Sequence, residues 1–412
     1  RMAVLVDPAD VDFFMAESDR ENLDCSHVAT VADHGRLVIS WRGTKIVDLS
    51  RSFLDTNGVQ QEARIEVAAP DATASPLGKP MPSTEGSSLA ARLTSVLADL
   101  NVCSQKGLGE IFDASIGAGT VLHPFGGAHQ LTPPDAMVAK VPLLAGDTDT
   151  CTFMSWGYNP RIASWSPYHG AAFAVIESLG RIVAAGARLE DVRLTFQEYF
   201  EKLGSDPQRW GKPFASLLGA YHVQHGLRLA AIGGKDSMSG SFNDLDVPPT
   251  LVSFAVAPGK ASVALSPEFK SAGNQVSLVT VPRADTGIPD LPAFQAICGE
   301  LHQLAVDRKV SSIHALGEGG IAASLATMAF GNHIGFHEAG DCDVDLFEER
   351  YGCFLVESAE PLPPSLEAVV VGATSETAEL AFSGGDTLPL ADLEKTWRAP
   401  LESVYPTTAA SS

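Results

Sequence analysis

The spacing of apolar and polar positions changes period repeatedly along the chain, and each change marks an element. Near the start it predicts a strand over 3–6, a helix over 9–21, and strands over 26–31, 36–41 and 44–48, the last two joined by the turn Arg42-Gly43. Residues 70–88, rich in Pro, Ser, Ala and Gly, predict a linker, and a helix follows over 89–100. Between 110 and 258 the pattern predicts strands at 120–123, 136–144 and 152–155, helices at 171–185, 196–203 and 214–225, then a glycine-rich turn and a closing strand. From 259 to 405 it predicts strands at 275–281, 312–316, 335–338, 354–357, 368–373, 379–382 and 387–389, and helices at 293–307, 320–330 and 391–397. Interleaved strands and helices predict an α+β or mixed α/β chain, divided as 1–69, 70–109, 110–258 and 259–405 with a tail at 406–412. The first and third blocks share an order of strands ending in a short helix or polar tail, a hint of duplication.

Composition narrows the classes. A length of 412 residues and a 45% hydrophobic fraction fit two or three domains with sizeable cores. A net charge of −22 argues against a general nucleic-acid or anionic-membrane binder, so an anionic substrate needs a local basic pocket. The six cysteines (25, 103, 151, 298, 342 and 353) form no C-x-x-C pair, which fits free thiols in a reducing cytosol. No apolar run reaches membrane-spanning length, and residues 1–6 lack the architecture of a signal peptide. A chain that opens on Arg1 and passes directly into a strand pattern is expected to be a piece of a longer polypeptide.

The richest local chemistry is Gly233-Gly234-Lys235-Asp236-Ser237-Met238-Ser239-Gly240. Glycines let backbone N–H groups approach phosphate oxygens, Lys235 adds a point charge, and Asp236 offers a hard oxygen ligand for magnesium. It is not a Walker loop, because Leu229 stands where the first glycine belongs and Asp236 follows the lysine. A tight hairpin between 229–232 and 251–256 is the other reading of the same residues. Ser166-Pro167-Tyr168-His169-Gly170 opens a helix bearing Glu177 and Arg181 four residues apart, which suits either an anion at the helix start or an ordinary i,i+4 ion pair. His314 to Gly320 joins strand to helix through three glycines, for ligand approach or for tight packing. Asp341-Cys342-Asp343-Val344-Asp345 lacks the Gly and Glu of a calcium loop, with Leu346 and Gly352 in their places, and reads as a solvated acidic loop. No metalloprotease, nucleophile-elbow or cysteine-nucleophile motif is present.

Taken in order, Phe112-Asp113-Ala114-Ser115-Ile116-Gly117 with Thr120-Val121, Ser166-Pro167-Tyr168-His169-Gly170, Gly234-Lys235-Asp236-Ser237-Met238-Ser239, Gly319-Gly320 with Met328-Ala329-Phe330, and Leu346-Phe347-Glu348-Glu349 resemble phosphoribosylformylglycinamidine synthase in its large, single-chain form. The resemblance covers nearly the whole chain. It implies aminoimidazole-ribonucleotide-synthetase-like halves, each a barrel-forming domain followed by an α/β domain. Residues 1–69 would end the first α/β domain, 110–258 form the second barrel-forming domain, and 259–405 the second α/β domain.

The implied activity is a cytoplasmic ligase of purine biosynthesis. It converts formylglycinamide ribonucleotide, ATP and glutamine-derived ammonia into formylglycinamidine ribonucleotide, with ATP activating the amide oxygen and ammonia displacing phosphate, using Mg²⁺. The resemblance places Gly234 and Lys235 at the nucleotide, Ser237 near the substrate and Asp236 beside them. It implies partners, the first synthetase half with its histidine motif and the glutaminase domain, so the 412 residues alone are expected to be inactive. No nucleic acid or membrane is implied. Members also carry an auxiliary nucleotide site, and here the sequence departs from the pattern. Glu177 stands where a magnesium ligand is expected, but Lys140, Arg181 and Ala315 replace three others and Gly317 replaces a nucleotide-contacting serine, with His169 and Gly170 at the adjoining helix start. Cations cannot ligate magnesium, so a degenerate, structural site is expected there. The alternatives are a small-molecule kinase of the same superfamily, such as a thiamine-phosphate or selenophosphate kinase, and a noncatalytic nucleotide-binding or scaffold half that stabilises a partner.

Overall fold

The computed structural model describes residues 2–56, 62–84, 88–340 and 342–407, and the chain divides into two units, Arg1–Ala63 and Arg64–Ser412. In the first, helix α1 (Val11–Arg20) precedes a hairpin of β1 (Arg36–Trp41) and β2 (Thr44–Ser50), followed by the short helix α2 (Arg51–Thr56). Arg42 and Gly43 both have positive φ, the geometry that matches a two-residue turn to the twist of its strands. Arg36 pins the open end to Asp48 at 2.6 Å. Segments 3–6 and 26–31, expected as strands, are irregular. Apolar composition makes a strand only where a neighbour completes its hydrogen bonds, and neither segment pairs with one among the described residues.

The second unit has two principal sheets. Its elements, in order, are α3 (Leu89–Leu97), α4 (Lys106–Gly109), β3 (Thr120–Leu122), β4 (Met137–Lys140), β5 (Thr150–Gly157), α5 (Pro160–Trp165), α6 (Pro167–Ala184), β6 (Arg193–Tyr199), α7 (Pro207–Leu227), β7 (Ala231–Lys235), the small hairpin β8 (Ser241–Phe242) and β9 (Leu245–Asp246), and β10 (Thr250–Lys260). Then come β11 (Gln275–Val279), α8 (Leu291–Val306), β12 (Ser312–Ala315), α9 (Gly320–Phe330), β13 (Gly335–Glu338), β14 (Phe354–Ser358), β15 (Val369–Ser375), β16 (Glu379–Ala381), β17 (Thr387–Pro389) and α10 (Leu390–Glu402). The first sheet runs β3-β4-β5-β10-β6-β7 and the second β12-β14-β11-β15-β13-β16-β17, giving the mixed α/β architecture that the pattern predicts.

Helix α6 joins the two. It packs on β5 and β10 of the first sheet and on β12 and α8 beside the second, so its residues are buried on nearly all sides. Its start is capped by Ser166, with Pro167 at the first helical position, where its missing N–H costs nothing. Gly219 of α7 crosses so close to Tyr168 that a β-carbon there would collide with the Tyr168 carbonyl. One apolar core spans both sheets, with Phe153, Phe294, Phe330, Phe354 and Trp397 among its fully buried side chains.

Two expectations change. Residues 196–203, expected as a helix, are half in strand β6 and half irregular, and in the strand Leu194, Phe196 and Glu198 face inward and alternate with more exposed neighbours. The buried glutamate hid the two-residue period. The hairpin reading of the glycine-rich turn also fails: β7 pairs in parallel with β6 through the crossover helix α7, while β10 lies on the other side of β6. The Pro- and Ser-rich stretch packs on the body, with Met81 and Thr84 buried and Trp165 donating to the Asp71 carbonyl at 2.7 Å. Residues 85–87 of that stretch, Asp341 of the acidic loop and residues 408–412 of the tail lie outside the described residues.

Candidate active-site turn and a buried ion cluster

The glycine-rich turn leaves the carboxyl end of a parallel strand, where ligands of α/β sheets bind. Gly234 has a packing reason: a β-carbon there would collide with the Phe196 carbonyl oxygen on β6. Gly233 has φ 152°, a conformation open chiefly to glycine. Neighbouring strand β6 then threads the turn. Thr195 Oγ1 donates to the Gly233 carbonyl at 3.2 Å and Gln197 Nε2 to that of Lys235 at 3.2 Å. Ser237 N–H donates to the Glu198 carbonyl at 3.1 Å, and Phe200 N–H to that of Ser237 at 2.8 Å. Ser237 and Ser239 hydroxyls share a 2.8 Å hydrogen bond.

Lys235 and Asp236 are exposed, and among the described residues no carboxylate pairs with Lys235. A groove of about 410 Å³ runs beside the turn, lined by Thr195, Gln197, Ile232, Gly233, Lys235 and Phe254. On the inward face of β6 is a residue that the sequence reading missed. Glu198 is 7% exposed, and burial, then the nearby Asp236 carboxylate, push its carboxyl up to about 7. The inward phase of β6 was the signal that could have found it.

The residues expected at the auxiliary site fall into four places. Lys140, at the end of β4, pairs with Asp147 at 2.9 Å. His169 and Gly170 sit at the corner between α5 and α6. His169 Nδ1 lies 2.7 Å from Ser166 Oγ and Nε2 3.0 Å from the Thr286 carbonyl, burial holds its pKa below the usual value, and a β-carbon on Gly170 would collide with Ala163. Glu177, Arg181 and Gly317 do come together. Arg181 Nη2 is 2.9 Å from Glu177 Oε1, Tyr158 N–H donates to Glu177 Oε2 at 3.0 Å, and a β-carbon on Gly317 would stand 3.8 Å from Oε1. Ala315 is buried in β12, facing Gly180 of α6.

Around Glu177 lies a cluster that no motif announced. Arg161 holds both oxygens of Glu349, at 2.6 and 2.7 Å. Asn159 Nδ2 donates to Glu318 Oε1 at 3.0 Å and to the Tyr351 hydroxyl at 2.6 Å. Burial, with the charges of Glu177 and Glu349, pushes Glu318 up to about 8. Three carboxyls face two guanidiniums, so a protonated Glu318 makes the group neutral. The glycines at the start of α9 serve packing: Gly319 and Gly320 have positive φ, and a β-carbon on Gly320 would come 2.8 Å from the Glu348 carbonyl. Among the described residues no three His, Cys, Asp or Glu side chains are grouped to hold a metal ion, and Asp345 instead accepts the Phe347 N–H at 2.9 Å. Nor is any helix among them long and apolar enough to cross a membrane.

Sequence likeness to known proteins extends across most of the chain, although no family model matches it. The likeness is to phosphoribosylformylglycinamidine synthase subunit PurL. The subunit of Cutibacterium acnes is 23% identical over 451 residues, covering 97% of this chain and 56% of the relative. That of Thermoplasma acidophilum is 26% identical over 390 residues, covering 87% and 49%. In fold, T. maritima PurL complexed with ATP aligns with TM-score 0.56 at 16% identity, over 90% of this chain and 54% of that one. PurLQS from Thermotoga maritima aligns with TM-score 0.55 at 14% identity, over 77% and 53%. The chain is thus PurL-like, and it spans about half the length of the curated relatives that it matches.

Proposed function

We propose that this chain is part of an ATP-dependent amidoligase of purine biosynthesis that converts formylglycinamide ribonucleotide to formylglycinamidine ribonucleotide with glutamine-derived ammonia. The observation that carries this reading is the turn at Gly233–Gly240: a glycine-lined strand end with an unpaired lysine, at the carboxyl edge of a parallel pair, in a chain otherwise strongly acidic. Gly234 brings backbone close to the nucleotide phosphates, Lys235 supplies the counter-charge that grows in value as phosphoryl transfer develops, and Ser237 meets the substrate. Asp236 is suited to magnesium, which takes one or two carboxylates plus phosphate oxygens.

The residues around Glu177 do not fit a second magnesium. Both carboxylate oxygens already have protein donors, and Arg181 occupies the place of a ligand. This cluster is structural in our reading.

A partner half completes the active site. The outer face of the first sheet is apolar: exposed Met137, Met154 and Val256 stand in one cross-strand row, and exposed Trp156 beside half-buried Phe254 in the next. Sheets of this kind normally cover such a face, and the turn at Lys235 lies at its edge. The complementary apolar sheet of a first synthetase half is the occupant, with the glutaminase a further partner. A cytoplasmic setting agrees with six cysteines that form no C-x-x-C pair.

Calorimetry with magnesium-ATP tests the reading. The chain is expected to bind one nucleotide, about tenfold or more weakly after Lys235→Ala. Binding unchanged by the substitution overturns the role of Lys235, and no binding in either protein favours a scaffold half.

A further inference from the structure

Helix α7 is apolar on two faces, and the fold covers one of them. The face that packs on α6 carries small or apolar residues, among them Ala215, Gly219 and Val223, all buried. The opposite face is open to solvent: Phe214 is 42% exposed, Leu217 49%, Leu218 42% and Tyr221 60%. Residues spaced i, i+3, i+4 and i+7 share one side of a helix, so these four form a single ridge. No charged residue interrupts α7 between Lys212 and Arg228, although charged residues make up 19% of the chain. An apolar ridge of this kind is ordinarily covered. It is a separate surface from the Met154 row, because α6 covers the buried face of β5 and α7 packs on α6.

The ridge reads the same in both directions. Phe214 and Tyr221 flank Leu217-Leu218 at equal spacing, and Trp210 and His225 stand at equal spacing beyond them. The midpoint of this pattern is the middle of the 21-residue helix. A second α7 laid antiparallel across that midpoint sets Leu217 beside Leu218 of the other copy, and Phe214 beside its Tyr221. The ends match in charge as well. Arg228, exposed at the end of the helix with φ 56°, makes no ion pair among the described residues. The same register carries it to the other copy's Asp206, whose side chain is 53% exposed. One oxygen of Asp206 caps the Gln208 N–H at 2.9 Å, and the other is 4.0 Å from Arg209 Nε, which leaves room for a closer cation.

We propose that the α7 ridge is a self-complementary docking surface through which two copies of this chain pair, on a two-fold axis passing between Leu217 and Leu218. A two-fold contact needs one patch that complements itself, and a mirrored apolar ridge with opposite charges at its two ends meets that requirement twice over. A net charge of −22 disfavours an anionic membrane as the occupant. The contact is small, so pairing is expected in about the micromolar range.

Sedimentation velocity on the full chain, over a concentration series, tests this. The wild type should pass from monomer to dimer. Leu217→Glu and Leu218→Lys should each weaken the dimer about tenfold or more. An equimolar mixture of the two variants should recover most of the loss, because the introduced acid and base meet across the axis. Arg228→Glu should also weaken pairing, by a factor that shrinks with added salt. Both leucines are exposed, so the fold tolerates these changes, and thermal melts check it. A wild type that stays monomeric at every concentration, or a Leu217→Glu variant that pairs as well as the wild type, overturns the surface. Two weakened variants whose mixture pairs no better than either alone overturn the two-fold register.

Discussion

Arg181 and Glu177 lie four residues apart on α6 with 2.9 Å between guanidinium and carboxylate, and the arginine also covers the Trp156 ring at 4.7 Å. Burial pushes Glu177 upward and Arg181 opposes it. Removing the arginine strands a buried acid, so Arg181→Ala should cost about 2–3 kcal/mol in denaturant unfolding. Replacing both groups by apolar ones, Glu177→Leu with Arg181→Met, should fall within about 1 kcal/mol of the wild type, because the pair's attraction and its desolvation nearly cancel. A large loss in the double variant would show that the cluster needs the charges themselves.

Gly234→Ala places a methyl group against the Phe196 carbonyl, so β7 must move away from β6. A loss of about 1–3 kcal/mol is expected, with weakened magnesium-ATP binding, since the moved strand carries Lys235. Gly204, at the end of a loop with open space around its α-carbon, is a comparison site where strain from its positive φ acts without any collision. Nucleotide affinity there should stay at the wild-type value.

Glu318 gives a pH dependence with a definite sign. Its carboxyl sits at about 8 in the fold against an ordinary 4.5, raised by burial and then by Glu177 and Glu349, with Arg161 opposing and Asp99 adding to the rise. The fold therefore prefers the protonated acid. That contribution is complete below about pH 4.5 and disappears as pH rises through about 8. Between about pH 5 and 8 it should remove about 1–2 kcal/mol, allowing for solvent screening. Glu318→Gln keeps an oxygen for Asn159 and should flatten this part of the melting profile. An unchanged slope would assign the dependence to other groups.

Met154→Glu puts a charge in the centre of the exposed row formed with Met137 and Val256. Because the side chain is 41% exposed, the melting temperature should barely change. Association with a separately produced first synthetase half, followed by size-exclusion chromatography and titration, should weaken about tenfold or more. Undiminished association would place the partner elsewhere.

The hairpin around Arg42-Gly43 and helix α9 were legible because a short-range signal specifies each, a turn dipeptide in one case and a glycine entry in the other. Strand β6 was not, since a carboxylic acid occupies one of its inward positions, and no local rule expects Glu198 there. Parallel pairing of β6 with β7 escaped for another reason: the 21-residue helix α7 separates the partners, so their register is a tertiary property. Gly234 and Lys235 were singled out by the glycine-rich turn and by the family resemblance. The ion cluster could not, because Asn159, Glu177, Glu318 and Glu349 come from four separate segments, and only the fold of α6 between two sheets brings them together.

Strand β7 ends the first sheet, bonded along β6 and, among the described residues, to no strand beyond. The segment bearing Lys235 is therefore among the cheapest parts of the sheet to peel away, and its amides should exchange with solvent well before those of β5 and β10. A ligand that recognises only the docked turn would slow that exchange selectively, so occupancy of the site can be read as local protection at one edge, without any assay of turnover.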